Sequence, residues 1–314
     1  MNLTDPIFTD ETKAREHLER TRWPHGPVCP HCGVVDQATK LEGEKHRKGL
    51  YQCNACREQF TVTVGTVFEK SKVPLNKWLL ATYLLSASKK GMSAHQLHRT
   101  LGVTYKTAWF MAHRIREAMI PEDNGPFGKG GATVEVDETF LGTDPDAPKP
   151  RPGKSRGVKQ MMKVVSLVER ETGRARSFVA DEYSIQGIIP IVERNLHAEA
   201  KLMTDESRLY TAMGASVASH NTVNHSAKEY VSRENRLIHT NTIEGFFGVF
   251  KRGMRGVYQH CGKQHLHRYL REFDFRYSMR SALGVDDATR ADEALRGIGG
   301  KRLTYRRIGE AANA

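Results

Sequence analysis

Three acidic positions stand out by their surroundings. Asp137 lies within VEVDETFLG, an apolar stretch where a charge is costly unless it is paired or metal-bound. Asp205 ends KLMTD, a second apolar stretch, at the carboxyl end of a strand, where sites on α/β sheets usually lie. Glu244 lies in HTNTIEGFFGVFKRG, residues 239–253, whose Ile243, Phe246, Phe247 and Phe250 recur at helical spacing. On that helix Asn241, Glu244 and Lys251 share one face. An amide, a carboxylate and an ammonium in a row read either as a solvated stripe or as the wall of a site. Three carboxylates converging from two strands and a helix suit two divalent ions about 4 Å apart, which activate an attacking oxygen and stabilise a leaving oxygen in phosphodiester chemistry. Mg²⁺ prefers such carboxylates together with water and substrate phosphate. Taken singly, each acid has a plainer reading: Asp205 as a helix cap, Glu244 as a surface residue, Asp137 as a strand-end charge. Glu135, Glu138, Asp181 and Glu206 compete for the same role.

A second constellation is made of thiols. Cys29-Pro-His-Cys32 and Cys53-Asn-Ala-Cys56 are two CxxC pairs with twenty residues between them. Four soft thiolates in two tight knuckles match a closed, structural zinc site. The surrounding segment has few apolar residues, so Zn²⁺ would supply much of its folding free energy. A redox motif needs only one pair, and iron in the same sulfur cage is the lesser alternative. His31 reads as a surface residue inside the first knuckle, and Cys261 as a small unpaired residue.

Residues 93–119, SAHQLHRTLGVTYKTAWFMAHRIREAM, read as helix–turn–helix. Ser93 and Thr104 suit the two N-caps and Gly102 the turn. Ala108, Met111, Ala112, Ile115 and Met119 form the apolar stripe of the second helix. Its start, Tyr105, Lys106 and Thr107, would then face DNA bases, and Arg114 and Arg116 would meet phosphates. An ordinary helical hairpin is the alternative.

The elements that must position these groups fall into four stretches. Residues 1–70 read as an N-terminal helix and a zinc ribbon, and 71–121 as an all-α helix–turn–helix segment. PEDNGPFGKGG at 121–131 reads as a linker. Within 130–285 strands are expected at 132–142, 161–170, 174–181, 201–207 and 222–226. Helices are expected at 185–196, over RLYTAMGAS, and at the stretch containing Glu244. Strands followed by alternating helix and strand imply an α/β domain, a mixed sheet with helices on its faces. Between its first two strands, DPDAPKPRPGKSRGVKQ (144–160) reads as a mobile basic loop. Residues 286–314 read as a basic C-terminal tail. The 314 residues carry a net charge of +12, which points to a polyanionic partner, most simply nucleic acid. No apolar run is long enough to span a membrane, and the charged N-terminus lacks a secretion signal, so a cytoplasmic, bacterial and nucleoid-associated setting is expected.

The motifs CPHCG, CNACREQF, VEVDETFLG, LMTDES, HTNTIEGFFGVFKRG and HLHRYLREFDFRYSMR together resemble a DDE-type insertion-sequence transposase. The branch is the one with an N-terminal zinc ribbon and an ISXO-like, ribonuclease-H-fold catalytic domain, and the likeness runs from about residue 20 to 280. It implies a first Asp on the first strand, Asp137, and a second on the fourth, Asp205. The third ligand comes from a helix, where the branch carries Asn, His or Glu followed by Lys. Both Asn241 and Glu244 fit, leaving 35 and 38 residues after Asp205, and His239 is a weaker candidate. Glu244 is favoured, because Lys251 stands two turns after it; Asn241 would then help hold metal or orient water. Lys251 and Arg252 would grip the DNA backbone. The resemblance implies catalytic Mg²⁺ or Mn²⁺, double-stranded DNA as substrate and target, cleavage at terminal inverted repeats followed by strand transfer, and a homo-oligomer on DNA. An inactive DNA-binding regulator and a structure-selective nuclease of the same fold are the alternatives.

Overall fold

The computed structural model describes residues 2–120, 125–150, 155, 157–227 and 229–304, arranged in two compact units. The first unit comprises residues 1–88, 92–120 and 285–314, and the second 89–91 and 121–284.

In the first unit, helix α1 (Glu11–Arg22) starts at Asp10, whose carboxylate accepts the Thr12 and Lys13 N–H groups. It leads into a three-stranded antiparallel sheet, β1 (Ala38–Leu41), β2 (Leu50–Cys53) and β3 (Gln59–Phe60). Trp23, Tyr51 and Phe60 cluster there, with Tyr51 and Phe60 stacked at 5.8 Å. Helices α2 (Leu75–Ala87), α3 (Ala94–Leu101) and α4 (Tyr105–Ala118) follow. Ser93 and Thr104 cap α3 and α4 as their side chains predict, accepting the Gln96 and Thr107 N–H groups. Gly102 ends α3 at φ 61°, a left-handed conformation that favours glycine.

The last helix of this unit departs from the expected tail. The helix at Asp287–Arg296 buries Arg290, Ala291, Ala294 and Leu295 and packs on α2. The Arg290 guanidinium donates to the Ser86 carbonyl at 3.0 Å. Apolar residues at helical spacing in DATRADEALR give this stretch a face to bury, so it is part of the N-terminal core. The KRLTYRR run lies outside the described residues beyond Thr304.

The second unit is a five-stranded mixed sheet of order β6-β5-β4-β7-β8. Strands β4 (Thr133–Leu141), β5 (Met162–Glu169) and β6 (Ala175–Ala180) form an antiparallel meander; β7 (Lys201–Asp205) and β8 (Ser219–Val223) join it in parallel on the other side of β4. This is the ribonuclease-H-like arrangement. Every residue of β5 is buried, as expected of a strand covered on both faces. One face packs on α5 (Ile185–Asn195), through Val134, Val136, Leu167, Ile188 and Val192. The other packs on α6 (Asn241–Gly253) and α7 (Lys263–Ser278), through Val164, Val168, Phe246, Phe250 and Phe273. The helix at Asp287–Arg296 is therefore α8.

Three boundaries differ from the expectation. RLYTAMGAS coils as a 3₁₀ helix, Arg208–Ala215, and β8 begins three residues before the TVNHS stretch. The second half of the expected linker belongs to the sheet domain: Phe127 is buried, and its N–H donates to the Asn195 carbonyl at 2.8 Å. Its first residues, 121–124, lie outside the described residues, as do 151–154 and 156 of the basic loop. That loop is anchored at its start by Asp144, buried between Lys163 and Lys263 at 3.2 and 3.1 Å. Among the described residues no helix is long and apolar enough to cross a membrane.

Candidate active site and metal centre

Asp137 and Asp205 are brought together by strand register. β4 and β7 run parallel with Glu135 opposite Met203, and the two aspartates stand two residues further along each strand. Side chains alternate along a strand, so Asp137 shares its face with Glu135 and Thr139. The Asp137 carboxylate accepts the Glu138 N–H at 2.7 Å, and that of Asp205 accepts the Ser207 N–H at 3.0 Å. Burial pushes Asp137 up to about 8, helped by the charges of Glu138, Asp205 and Glu244. Thr139 buries a hydroxyl that has no partner.

Glu244 projects from the first turn of α6. Its Oε1 accepts the Thr240 hydroxyl at 3.2 Å and lies 3.4 Å from His225 Nε2. Sequence reasoning missed His225, because nothing local marks it. A distant carboxylate places it: Glu206, just past β7, accepts the backbone N–H groups of His225 and Ser226 at 2.7 and 3.0 Å and the Ser226 hydroxyl. The hydroxyl and amide donors pull Glu206 down to about 2.

The competing acids are otherwise engaged. Both oxygens of Glu135 are bonded: Oε1 by Arg170 Nε at 2.5 Å, Oε2 by the Ile243 N–H at 2.8 Å. Glu138 points to the opposite face and accepts the Tyr210 hydroxyl; burial raises it to about 7. Asp181 is exposed beyond the end of β6. Asn241 is exposed, and its N–H donates to His239 Nδ1 at 3.4 Å. Lys251 Nζ lies 6.0 Å from the Phe247 ring centroid, and Arg252 is exposed one residue on.

Among the described residues, the one group of His, Cys, Asp or Glu side chains whose ligand atoms all lie within 4.8 Å is Cys29, Cys32, Cys53 and Cys56. Sγ separations of 3.7 Å for Cys29–Cys56 and 3.6 Å for Cys32–Cys53 fit a tetrahedral ion with Zn–S bonds of about 2.3 Å. The two knuckles repeat one geometry. Gly33 N–H donates to the Cys29 carbonyl and Arg57 N–H to that of Cys53, each residue at positive φ. Backbone N–H donation from Cys56 and Ala55 lowers the Cys53 thiol, while burial and the adjoining thiols raise Cys32 and Cys56, so the four sulfurs titrate as one group. The donor set therefore fits zinc, while the acids do not close to the same distance.

Of the expected DNA-facing residues, Tyr105 and Lys106 are exposed at the start of α4, with the Tyr105 and His95 rings 4.3 Å apart and tilted by 30°. Thr107 is half-buried and shares a 2.8 Å hydroxyl contact with Thr104. Arg114 and Arg116 are instead buried. Arg114 donates to the Glu69 carbonyl at 2.8 Å and lies over the Trp78 and Phe110 rings. Two residues apart on the helix, they flank the apolar stripe of α4 on either side, and burial leaves their guanidinium groups in packing.

Two domain families match this chain where the geometry leads one to look. A Transposase zinc-ribbon domain matches residues 9–59, and an ISXO2-like transposase domain matches residues 129–278. Both matched families are domains of transposases. The second match spans the whole ribonuclease-H-like sheet with α6 and α7, and the first spans the cysteine quartet. A curated relative, an uncharacterized protein in the transposable element ISH50 of Halobacterium salinarum, is 29% identical over 286 residues, covering 86% of this chain and 91% of the relative. Among solved structures the chain is similar to a chain of a simian T-cell lymphotropic virus intasome in complex with PP2A regulatory subunit B56 gamma. That likeness is 13% identical with a TM-score of 0.28, and it covers 57% of this chain and 63% of that one.

Proposed function

We propose that this transposase binds the terminal inverted repeats of its element and cuts and rejoins DNA at a site formed by Asp137, Asp205 and Glu244. The observation that carries the reading is the placement of two aspartates at equivalent positions on neighbouring parallel strands. A buried carboxylate raised by other carboxylates is a donor set short of positive charge, and the unpartnered Thr139 hydroxyl beside it suits a polar ligand. Hard oxygen donors of this kind fit Mg²⁺ or Mn²⁺. When bound, two such ions supply Lewis-acid stabilisation of the attacking and leaving oxygens.

The chain's own residues do the positioning. Asp137, Asp205 and Glu244 hold the ions, with Asn241 on the same helix face as a neutral oxygen donor. Lys251 and Arg252, two turns along α6, hold the phosphate backbone. In the first step a water oxygen attacks phosphorus and the 3′ oxygen leaves as a free hydroxyl. In the second, that hydroxyl attacks a target phosphodiester, joining element to target and releasing the target's own 3′ oxygen. No protein–DNA bond forms. The zinc ribbon and the start of α4, with Tyr105, Lys106 and Thr107, read the element ends, and two ends are paired by a homo-oligomer.

The test is an incubation of the purified chain with Mg²⁺ or Mn²⁺, labelled DNA carrying the element ends, and a supercoiled target. Strand-transfer products that vanish in Asp205→Ala establish the reading. Binding without cleavage in both proteins points to a DNA-binding regulator. Cleavage without joining points to a nuclease.

A further inference from the structure

We infer that Glu135 and Arg170 form a positioning pair that sets helix α6, and with it Asn241 and Glu244, against the Asp137 strand; this rests on the proposed acid site. The evidence is in how α6 begins. A helix normally has its N-cap side chain accept the N–H of the third helical residue. Here the N-cap is Thr240, and its side chain makes no such bond. Its hydroxyl donates to Glu244 instead, at 3.2 Å. The third N–H of the helix, that of Ile243, is accepted from another element: Glu135 Oε2 reaches it at 2.8 Å from β4.

Glu135 is 0% exposed, and its second oxygen is taken by Arg170 Nε at 2.5 Å. The rest of that guanidinium holds the chain leading into the helix. Nη1 donates to the Leu237 carbonyl at 2.7 Å and Nη2 to the His239 carbonyl at 2.6 Å. His239 Nδ1 in turn accepts from Arg170 Nη2 at 3.0 Å and from the Asn241 N–H at 3.4 Å. From the other side the Tyr277 hydroxyl donates to the Thr242 carbonyl at 3.2 Å. The first turn of α6 is therefore fixed in position and rotation by groups outside it.

Two features make this more than packing. Glu135 is two residues from Asp137 on the same strand face, so one rigid segment carries both the first acid and the cap for the helix bearing the third. A buried ion pair adds little stability over apolar residues of equal volume, so its retention here fits a role in registry. The external cap also leaves the Thr240 hydroxyl to bridge Glu244 Oε1 and His225 Nε2, each at 3.2 Å.

The test compares Glu135→Ala, Glu135→Gln and Val136→Ala in the full chain. Val136 lies on the opposite face of the same strand, packed toward α5, and controls for lost stability. Three quantities are read: amide hydrogen exchange across 241–247, Mn²⁺ binding by calorimetry, and Mn²⁺-dependent nicking of a supercoiled plasmid. Exchange in the first turn of α6 should rise about tenfold or more in Glu135→Ala, with α7 unchanged. The Mn²⁺ midpoint should rise about 10–100-fold, the range for losing a group that orients a ligand. Glu135→Gln, which keeps the acceptor and loses the charge, should fall between Ala and wild type. Val136→Ala should lower the melting temperature without moving the Mn²⁺ midpoint. Normal Mn²⁺ binding in Glu135→Ala, or deprotection spread evenly over the sheet, overturns the positioning role alone. A wild-type chain that binds no Mn²⁺ overturns the acid-site reading and the purpose of the pair with it.

Discussion

Asp137 is the residue on which the proposed chemistry turns, and its environment makes a prediction about pH. Burial and the neighbouring carboxylates raise it from the ordinary 3.8 to about 8, so the folded state binds its proton more tightly than the unfolded state. Such a group stabilises the fold at low pH. That contribution is lost as pH rises through the window between the unfolded value and about 8. Metal-free protein should therefore melt several degrees lower at pH 9 than at pH 6, and Asp137→Asn should shrink that difference, with Glu138 and Asp274, each raised to about 7, supplying the remainder. A wild-type melting temperature that is level or rising across the window would sink this account of the site. Mn²⁺ should act in the opposite sense, displacing the proton below pH 8 and tightening as pH rises, which calorimetry in two buffers of different ionisation enthalpy would detect. Catalysis by Asp137→Asn should fall by on the order of 10³-fold, the scale of losing one group that stabilises a transition state. The acids at 137, 205 and 244 are legible in the sequence because a charge within an apolar run is conspicuous. The distinction of Asp137 from Glu135 is not legible, since strand alternation places 135, 137 and 139 on one face. Only the Ile243 and Arg170 bonds show that Glu135 is already occupied.

Elements differ in how much of their stability they carry themselves. The ribbon strands β1–β3 are short, and their aromatic cluster is small, so the four thiolates must supply the rest. Metal binding to structural thiolate sites is worth about 10–16 kcal/mol in isolated zinc fingers. Chelation, or Cys53→Ser, should thus abolish hydrogen-exchange protection in β1–β3 while leaving β4–β8 protected. One zinc per chain should be released on thiol modification. Protection of the ribbon that survives both treatments would show that it folds without metal. Elements with strong periodic signals, α4, α6 and the strands from β4 to β7, stand close to where the sequence puts them. Weaker ones moved. β8 starts at Ser219, because its SHNTV is polar and owes its pairing to β7 and not to its own pattern. The α8 stretch left the expected tail for the same reason, since a short amphipathic helix is stable only against a partner.

The whole chain carries +12, and that charge predicts behaviour on DNA. If the complex neutralises six to ten phosphates, affinity for duplex DNA should fall by about 10³–10⁵-fold between 50 and 200 mM salt. A flat salt response, measured by fluorescence anisotropy, would show that the charge is not used on DNA. Arg114 and Arg116 contribute to the charge and are nonetheless unavailable, being buried; composition counts cations without saying where they point. The sequence by itself determined the cysteine quartet and the two domain types, because each is a local pattern of spacing or periodicity, and it singled out the three acids proposed here as charges set among apolar residues. Tertiary structure alone decided that Asp137 and Asp205 stand at equivalent positions on neighbouring strands, that α8 completes the N-terminal unit, that His225 lies against Glu244, and that Glu135 caps a helix more than a hundred residues away. These depend on strand register and on hydrogen bonds between distant segments, and no local pattern in the chain encodes where a distant donor will be.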